Sequence, residues 1–139
     1  MIFQTTATYS FAPPLNKRGG QVRRDGKTTD SWMILRCSPE IGRYVRHLYA
    51  VYSHYINQLS EPLWGTHVSV IRDEKPTDPT LWKSLEGEFV PLRYSTEVAI
   101  YGTYAVIPVE CPEALSYRER LGLPRDPAYP LHMTIGNLK

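Results

Sequence analysis

The chain has 139 residues, 42% hydrophobic and 22% charged, a composition typical of one globular domain. A net charge of +2 does not by itself indicate a nucleic-acid partner, and no apolar run approaches the roughly 18 residues that span a membrane. Two cysteines, Cys37 and Cys111, give no basis for a disulfide framework or a cysteine-based zinc site. The N-terminus lacks the pattern of a signal peptide. We therefore expect one cytoplasmic domain over residues 1–139, without membrane association or an obligate protein partner.

The first part of the chain predicts two strands separated by a polar segment. Residues 2–11 are rich in threonine and aromatic residues and stop at two prolines, which is typical of a strand. Residues 16–30 contain two glycine turns and predict a hairpin tip or loop, and whether this loop closes as a lid stays open. The nearly continuous apolar run over residues 32–37 predicts a strand in the middle of a sheet.

A long helix is predicted to begin at Ser38 and Pro39, because a hydroxyl N-cap and a proline in the first turn are typical helix-start residues. Apolar and aromatic residues then recur at spacings of three and four, which predicts about five turns, ending at Glu61. His47 and His54 lie on the polar side, where no third metal ligand accompanies them. The tyrosines on the apolar side are expected in the core: Tyr44, Tyr49, Tyr52 and Tyr55.

The second half of the chain predicts the same order of elements as the first. Residues 89–94 and 98–109 are two predicted strands, with Gly102 as a bulge or bend in the second. A shorter helix follows Cys111, and residues 131–138 predict the last strand. Two halves with the same order of elements usually pack around a pseudo-twofold axis, and a cleft at that axis is a natural ligand site.

Each half ends on a strand with the same short motif. His67-Val68-Ser69-Val70 lies in a predicted strand over residues 64–72, and His132-Met133-Thr134-Ile135 lies in the last strand. Side chains alternate along a strand, so each histidine shares a face with the hydroxyl two residues on, while the apolar residues point into the core. Two such strands side by side place two imidazoles and two hydroxyls around one point.

These four groups are sufficient for chemistry at a phosphodiester that bears a neighbouring hydroxyl. One neutral imidazole removes a proton from the attacking oxygen, and the other imidazole, protonated, gives a proton to the leaving oxygen. Hydroxyl groups donate to the non-bridging oxygens as charge builds. We therefore expect His67, Ser69, His132 and Thr134 to be catalytic, with no metal and no cofactor. The pseudosymmetry leaves open which histidine is the base and which is the acid.

The two motifs resemble the paired H-Φ-[S/T]-Φ motifs of the 2H phosphoesterase superfamily (LigT-like), and the order of elements covers essentially the whole chain. The segment from Leu121 to Gly136 is most similar to the phage anti-CBASS nucleases. The resemblance implies a bilobal α+β fold, in which two pseudo-twofold-related, mostly antiparallel sheets have helices packed outside and a central cleft. Ser69 stands where threonine is more usual, so the hydroxyl is kept but its methyl packing is lost.

The resemblance also implies a substrate. The phage nucleases cleave the 3′–5′ linkages of cyclic di- and trinucleotide messengers in the host cytoplasm and so evade a CBASS-type defence. Such a substrate needs aromatic rings for base stacking, and the chain has 10 tyrosines and 3 tryptophans. We predict substrate contacts at Trp64, Tyr9, Tyr101, Tyr104 and, for phosphate, Arg72. Two alternatives stay open: a 2′,3′-cyclic phosphodiesterase acting on RNA ends, and a protein that sequesters a cyclic nucleotide without cleaving it.

Overall fold

The computed structural model describes residues 2–13, 30–62, 64–77 and 79–138. In chain order the elements are β1 Ile2–Phe11, β2 Met33–Arg36, α1 Pro39–Tyr52, β3 Leu59–Ser60, β4 His67–Ile71, a 3₁₀ turn Pro79–Leu81, β5 Phe89–Ser95, β6 Ala99–Tyr101, β7 Tyr104–Glu110, α2 Pro112–Arg120 and β8 His132–Leu138. The hairpin tip or lid predicted over residues 16–30 falls, apart from Asp30, outside the described residues. Within those residues, neither helix is both long and apolar enough to cross a membrane.

The strands form one antiparallel sheet that closes into a barrel. Their order is β3-β8-β4-β2-β1-β5-β7-β6, and β8 also pairs with β7, so six strands form a ring with β3 and β6 attached at its edges. The predicted α+β class is confirmed. The predicted division into two lobes with separate sheets is not confirmed, because the two halves of the chain pair with each other through β1 and β5 and again through β4 and β8.

Exchanging the two halves of the chain leaves the order of the ring unchanged. Strands β1, β2 and β4 correspond to β5, β7 and β8, and the ring β4-β2-β1-β5-β7-β8 reads the same after the exchange. The helices follow the same rule, since α1 packs on β8 and α2 contacts β4. Each helix therefore lies against the motif strand of the other half. The repeat seen in the order of predicted elements thus has a counterpart in the strand topology.

The sheet has a helix-covered face and an opposite face, which we call the motif face. Leu35, Val68 and Met133 lie opposite one another on β2, β4 and β8 and are fully buried. They belong to the core, to which Val45 of α1 and Tyr117 of α2 also contribute. Burying each large apolar side chain of this row stabilises the fold by about 1.5–3 kcal/mol. The alternate strand positions, which include the motif histidines and hydroxyls, point to the motif face.

Helix α1 is shorter than the sequence predicts. It ends at Tyr52 instead of continuing to Glu61. The backbone at His54 and Tyr55 has positive φ angles of 55° and 62°, which a right-handed helix does not contain. The chain then continues into the short strand Leu59–Ser60, which pairs with the end of β8. This pairing uses residues that the apolar period assigns to the helix.

Helix α1 packs through only part of the apolar stripe that the sequence predicts, together with residues outside that stripe. Its buried residues are Gly42 and Val45, and a Cβ atom at Gly42 would clash with the Thr66 hydroxyl. Arg46 Nη1 donates to the carbonyl oxygen of Ile135 at 2.7 Å. The close approach at the glycine therefore decides which side meets the sheet. The prediction that the helix tyrosines are core residues is wrong for three exposed side chains: Tyr44, Tyr52 and Tyr55.

Residues 98–109 contain two strands where the sequence predicts one. Tyr101 of β6 pairs with Tyr104 of β7, so Gly102 and Thr103 form the two-residue loop of a hairpin. Gly102 has a φ of 62°, which suits the first loop position of such a hairpin. Gly102 therefore reverses the chain instead of bending a single strand. The tyrosines on both sides of the loop favour strand conformation, so the sequence pattern alone predicts one continuous strand.

A buried arginine attaches α2 to the rest of the barrel. The Arg118 side chain is fully buried and makes two bonds to the Glu74 carboxylate, of 2.7 and 2.8 Å. It also donates to the carbonyl oxygens of Val70 at 2.8 Å and Pro124 at 2.9 Å. The hydrogen bonds from Arg118 hold the pKa of Glu74 below its ordinary value. A buried charge is tolerated only when it is paired and hydrogen-bonded in this way.

We predict that Arg118→Met lowers the free energy of unfolding by about 3–5 kcal/mol, because it keeps much of the volume but removes every polar contact of a buried group. Urea denaturation measures the change. The matched control is Arg125→Met, since Arg125 is exposed and forms a surface ion pair with Glu119 at 2.8 Å. Its expected cost is about 0–1 kcal/mol. Equal destabilisation by the two variants would contradict the role of Arg118.

Candidate active site

The two motif strands are neighbours in the barrel, and their histidines share the motif face. Strands β4 and β8 run antiparallel, with His67 opposite Thr134 and Val68 opposite Met133. Continuing this register places His132 across from Ser69, at the next position on the same face. Directly opposite side chains in an antiparallel pair have Cβ atoms about 4.5–5.5 Å apart. The two imidazoles and two hydroxyls therefore converge.

Both imidazoles are oriented by the same local contact. Nδ1 of His67 lies 2.7 Å from the carbonyl oxygen of Gly65, and Nδ1 of His132 lies 2.8 Å from that of Pro130. A carbonyl oxygen only accepts, so Nδ1 carries the hydrogen in each ring. In the neutral ring, Nε2 then keeps its lone pair and is available for proton transfer. Both histidines thus offer the same nitrogen, held by the carbonyl two residues earlier.

The two histidines differ in their surroundings. His67 is 5% exposed, whereas His132 is only partly buried. Burial lowers the pKa of His67 from 6.5 to about 4, although the bond to Gly65 opposes this, and the positive charges of Arg36 and Arg72 lower it further. The His67 ring is therefore neutral at pH 7 and able to accept a proton.

The two motif hydroxyls are placed for a ligand. Thr134 is buried at 9% exposure, and Ser69 is partly buried. Neither side chain forms a hydrogen bond with another residue in the described part of the chain. Hydroxyls that lack an internal partner can donate to an oxygen bound between the histidines.

Trp64 lies beside His67, as the sequence predicts for a residue near the site. The two rings are 5.5 Å apart at an angle of 77°. On its other side, Trp64 meets the buried ring of Trp32 at 4.5 Å and 78°. These edge-to-face contacts pack the indole on two sides, so Trp64 forms a wall next to His67. Base stacking on Trp64 stays a prediction.

Arg72 belongs to the same end of the site. It is exposed directly after β4, and its guanidinium lies 4.5 Å from the centroid of the Trp32 ring. Such cation–π contacts contribute about 0.5–1 kcal/mol at exposed positions. The positive charge of Arg72 is close enough to contribute to the lowered pKa of His67. Its predicted contact with phosphate stays a prediction.

Tyr101 lies beside His132, so each histidine has one aromatic neighbour. The Tyr101 ring is 5.5 Å from the imidazole at an angle of 83°, and the side chain is about half exposed. Tyr104, opposite Tyr101 in the hairpin, is equally exposed. The β6–β7 hairpin thus carries two accessible rings on the His132 side. Of these two tyrosines, only Tyr101 has a ring contact with a histidine within the described part of the chain.

Tyr9 lies away from the histidines. It is opposite Leu35, on the helix-covered face, is 4% exposed, and meets the Tyr117 ring at 5.9 Å. Burial raises the pKa of its hydroxyl. The neighbours of Tyr9 on β1, Thr8 and Ser10, point to the motif face instead. The prediction of a substrate contact at Tyr9 is therefore wrong for two reasons: β1 pairs with β2 and β5 instead of a motif strand, and Tyr9 points to the helix-covered face.

Arg36 lies at the site but is not among the residues that the sequence predicts for it. It lies on β2 directly opposite His67, and on the other side it is opposite Thr8 of β1. The side chain is exposed and has no hydrogen bond or ion pair to any described residue. The signal for it is a single charged residue at the end of an otherwise apolar strand.

Comparison of this chain with protein-family models, with curated proteins and with solved structures finds no match. The fold and the site define an α+β barrel protein with two imidazole–hydroxyl pairs on one face of its sheet.

The burial of His67 predicts a pH dependence of stability. The pKa of about 4 in the folded protein, against 6.5 in the unfolded chain, means that the unfolded state binds more protons between these values. Stability from His67 is therefore full above about pH 6.5 and is lost as the pH falls through about 4, by roughly 3 kcal/mol.

Denaturation of the wild type and of His67→Gln at about pH 7 and pH 4 measures this difference. We expect the wild type to lose roughly 3 kcal/mol more than the variant on acidification, because glutamine does not titrate. The control His47→Gln removes an exposed imidazole on α1 and is expected to keep the wild-type dependence. A wild type and a His67→Gln variant with the same dependence would show that His67 titrates normally.

Proposed function

We propose that the chain is a metal-independent phosphodiesterase of the 2H type that cleaves 3′–5′ linkages in cyclic di- and trinucleotides. The observation that carries the proposal is the pair of imidazoles on one face, each with Nδ1 bound to a backbone carbonyl and with no hydrogen bond from Nε2 to a described residue. Two such nitrogens provide a base and an acid on either side of one phosphate. The ring order that survives exchange of the two halves agrees with a pseudo-twofold relationship between them, which the proposal also expects.

The burial of His67 favours this residue as the general base. In the proposed reaction, Nε2 of His67 accepts the proton of the ribose 2′-hydroxyl while the 2′-oxygen forms a bond to phosphorus. The bond from phosphorus to the 5′-oxygen breaks, and Nε2–H of His132 gives its proton to that oxygen. The products are a 2′,3′-cyclic phosphate and a free 5′-hydroxyl, so the nucleotide ring opens. Solvent restores both protonation states.

The hydroxyls of Ser69 and Thr134 stabilise the charge that builds on the non-bridging oxygens during this step. They lie two residues after the histidines, on the same face, and lack other partners among the described residues. Removing one such donor typically costs about 10²–10³ in kcat. Serine supplies the same donor as threonine with a freer rotamer.

The aromatic side chains support a nucleotide as the substrate. Tyr101 is half exposed beside His132, so one side of the ring is accessible to a base next to the scissile phosphate. A stacked base contributes about 1–3 kcal/mol. With a cyclic messenger as substrate, ring opening would destroy an alarm signal and serve phage evasion of a nucleotide-signalled host defence.

We predict turnover of 3′,3′-cyclic GMP-AMP in the presence of EDTA, and a loss of about 10²–10⁴ in kcat for His67→Ala and His132→Ala, because each removes one proton-transfer group. Chromatography of the products measures the rate. Binding of the intact nucleotide by both variants, measured by calorimetry, is expected to persist. His47→Ala and His54→Ala remove exposed imidazoles and are expected to retain full activity.

The same experiment separates the alternatives. Tight binding of cyclic nucleotides by the wild type without turnover would identify a sequestering protein. Turnover restricted to oligoribonucleotides that end in a 2′,3′-cyclic phosphate would identify an RNA-end enzyme. Full activity of either histidine variant would contradict the assigned site.

The proposed roles of the histidines predict different responses to the leaving group. Uridine 3′-(4-nitrophenyl phosphate) has a 2′-hydroxyl but a leaving group that needs no proton. On this substrate, His132→Ala is expected to lose less than about tenfold, whereas His67→Ala still loses about 10²–10⁴, because only the base remains necessary. Release of nitrophenolate measures both rates. The reverse pattern would assign the base to His132.

A further inference from the structure

A row of four side chains crosses the motif face, from β1 to β8. Thr8 pairs with Arg36, Arg36 pairs with His67, and His67 pairs with Thr134. Directly opposite residues in a sheet point the same way, so all four side chains leave the same face. On the side of His67 that lies away from β8, the row therefore adds a cation, Arg36, and a further hydroxyl, that of Thr8.

Arg36 is an unsatisfied cation in this row. It is exposed and forms no hydrogen bond or ion pair within the described ranges. Other arginines are engaged by the protein: Arg43 with Glu40, Arg118 with Glu74, and Arg125 with Glu119. Thr8, next to Arg36, is partly buried and also has no hydrogen bond from its hydroxyl to a described residue. A free guanidinium beside a free hydroxyl is suited to an anion.

The position of Arg36 relative to the two histidines indicates which anion it takes. The scissile phosphate lies between the imidazoles, in front of β4 and β8. Arg36 lies one strand further, about 5 Å from His67 across the sheet and away from His132. A guanidinium binds phosphate oxygens through a planar pair of donors. A cyclic dinucleotide carries a second phosphodiester beyond the one held between the imidazoles, and a guanidinium one strand away from His67 is placed to meet it.

We infer that Arg36, assisted by Thr8, binds the phosphodiester next to the one that is cleaved. This inference rests on the proposed function and extends it to substrate selection. A cyclic dinucleotide has a second phosphodiester for this subsite, whereas uridine 3′-(4-nitrophenyl phosphate) has none. The enzyme therefore distinguishes substrates by the number of phosphates that they present, and the catalytic pair alone does not.

The test compares the wild type, Arg36→Gln and Arg36→Lys on two substrates at about pH 7.5, which is above even the ordinary pKa of a histidine. The substrates are 3′,3′-cyclic GMP-AMP and the mononucleotide uridine 3′-(4-nitrophenyl phosphate), which reacts by the same step but has one phosphodiester. For the dinucleotide we expect Arg36→Gln to lower kcat/KM by about 10–100-fold through the loss of a charge-assisted hydrogen bond, and Arg36→Lys by less. For the mononucleotide we expect no change beyond about twofold.

The matched control is Arg43→Gln. Arg43 is also an exposed arginine, but it belongs to α1, on the helix-covered side of the sheet, and pairs with Glu40 at 2.8 Å. We expect it to leave both substrates unaffected. Equal losses on both substrates would assign Arg36 to the scissile phosphate, and no loss on either would exclude it from binding; both results overturn the inference.

The outcomes also separate this inference from the proposed function. A wild type that cleaves neither substrate would contradict the proposed phosphodiesterase activity. The subsite would then be tested by measuring binding of the dinucleotide with calorimetry. In that case, binding of the dinucleotide that weakens about 10–100-fold in Arg36→Gln supports the subsite. Unchanged binding overturns it.

Discussion

The pairing of β4 with β8 is the interaction on which both the fold and the site depend. It joins the two halves of the chain, completes the ring of strands, and places His67 opposite Thr134. A slip of one residue in this register would turn one motif to the other face, because side chains alternate with a period of two. The fully buried pair of Val68 and Met133 opposes such a slip, since it would expose apolar side chains. The same strand register therefore determines both the packing of the core and the arrangement of the site.

The two histidines make the same contact with the backbone, but their surroundings differ. Each ring is held by the carbonyl two residues earlier, yet His67 is enclosed near Trp64 and two arginines while His132 borders the accessible ring of Tyr101. Symmetric orientation gives two equivalent nitrogens. Unequal burial then makes protonation costly at one of them, which is what an acid and a base from identical side chains require.

Features that depend on local patterns were predictable from the sequence, and features that depend on tertiary contacts were not. The alternation around His67 and His132 predicts strands with each histidine and hydroxyl on one face, and the structure has that arrangement. The end of α1 and the exposure of Tyr52 depend on the close approach at Gly42 and on the pairing of β3, which no helical period contains. The face taken by Tyr9 depends on the register of β1 against β2, which is likewise a tertiary property.

Two arginines on opposite faces of the sheet differ in how their charges are satisfied. On the helix-covered side, Arg118 is fully buried, and its donors are satisfied by Glu74 and by backbone carbonyls that include Val70 of β4. On the motif face, Arg36 of β2 lies opposite His67 of β4. Arg36 is exposed and has no partner among the described residues. A buried cation without partners would be costly, so the first must be internally neutralised. An exposed cation has no such requirement and remains available to an anion from solution, and the subsite that we infer for the second phosphodiester rests on this difference.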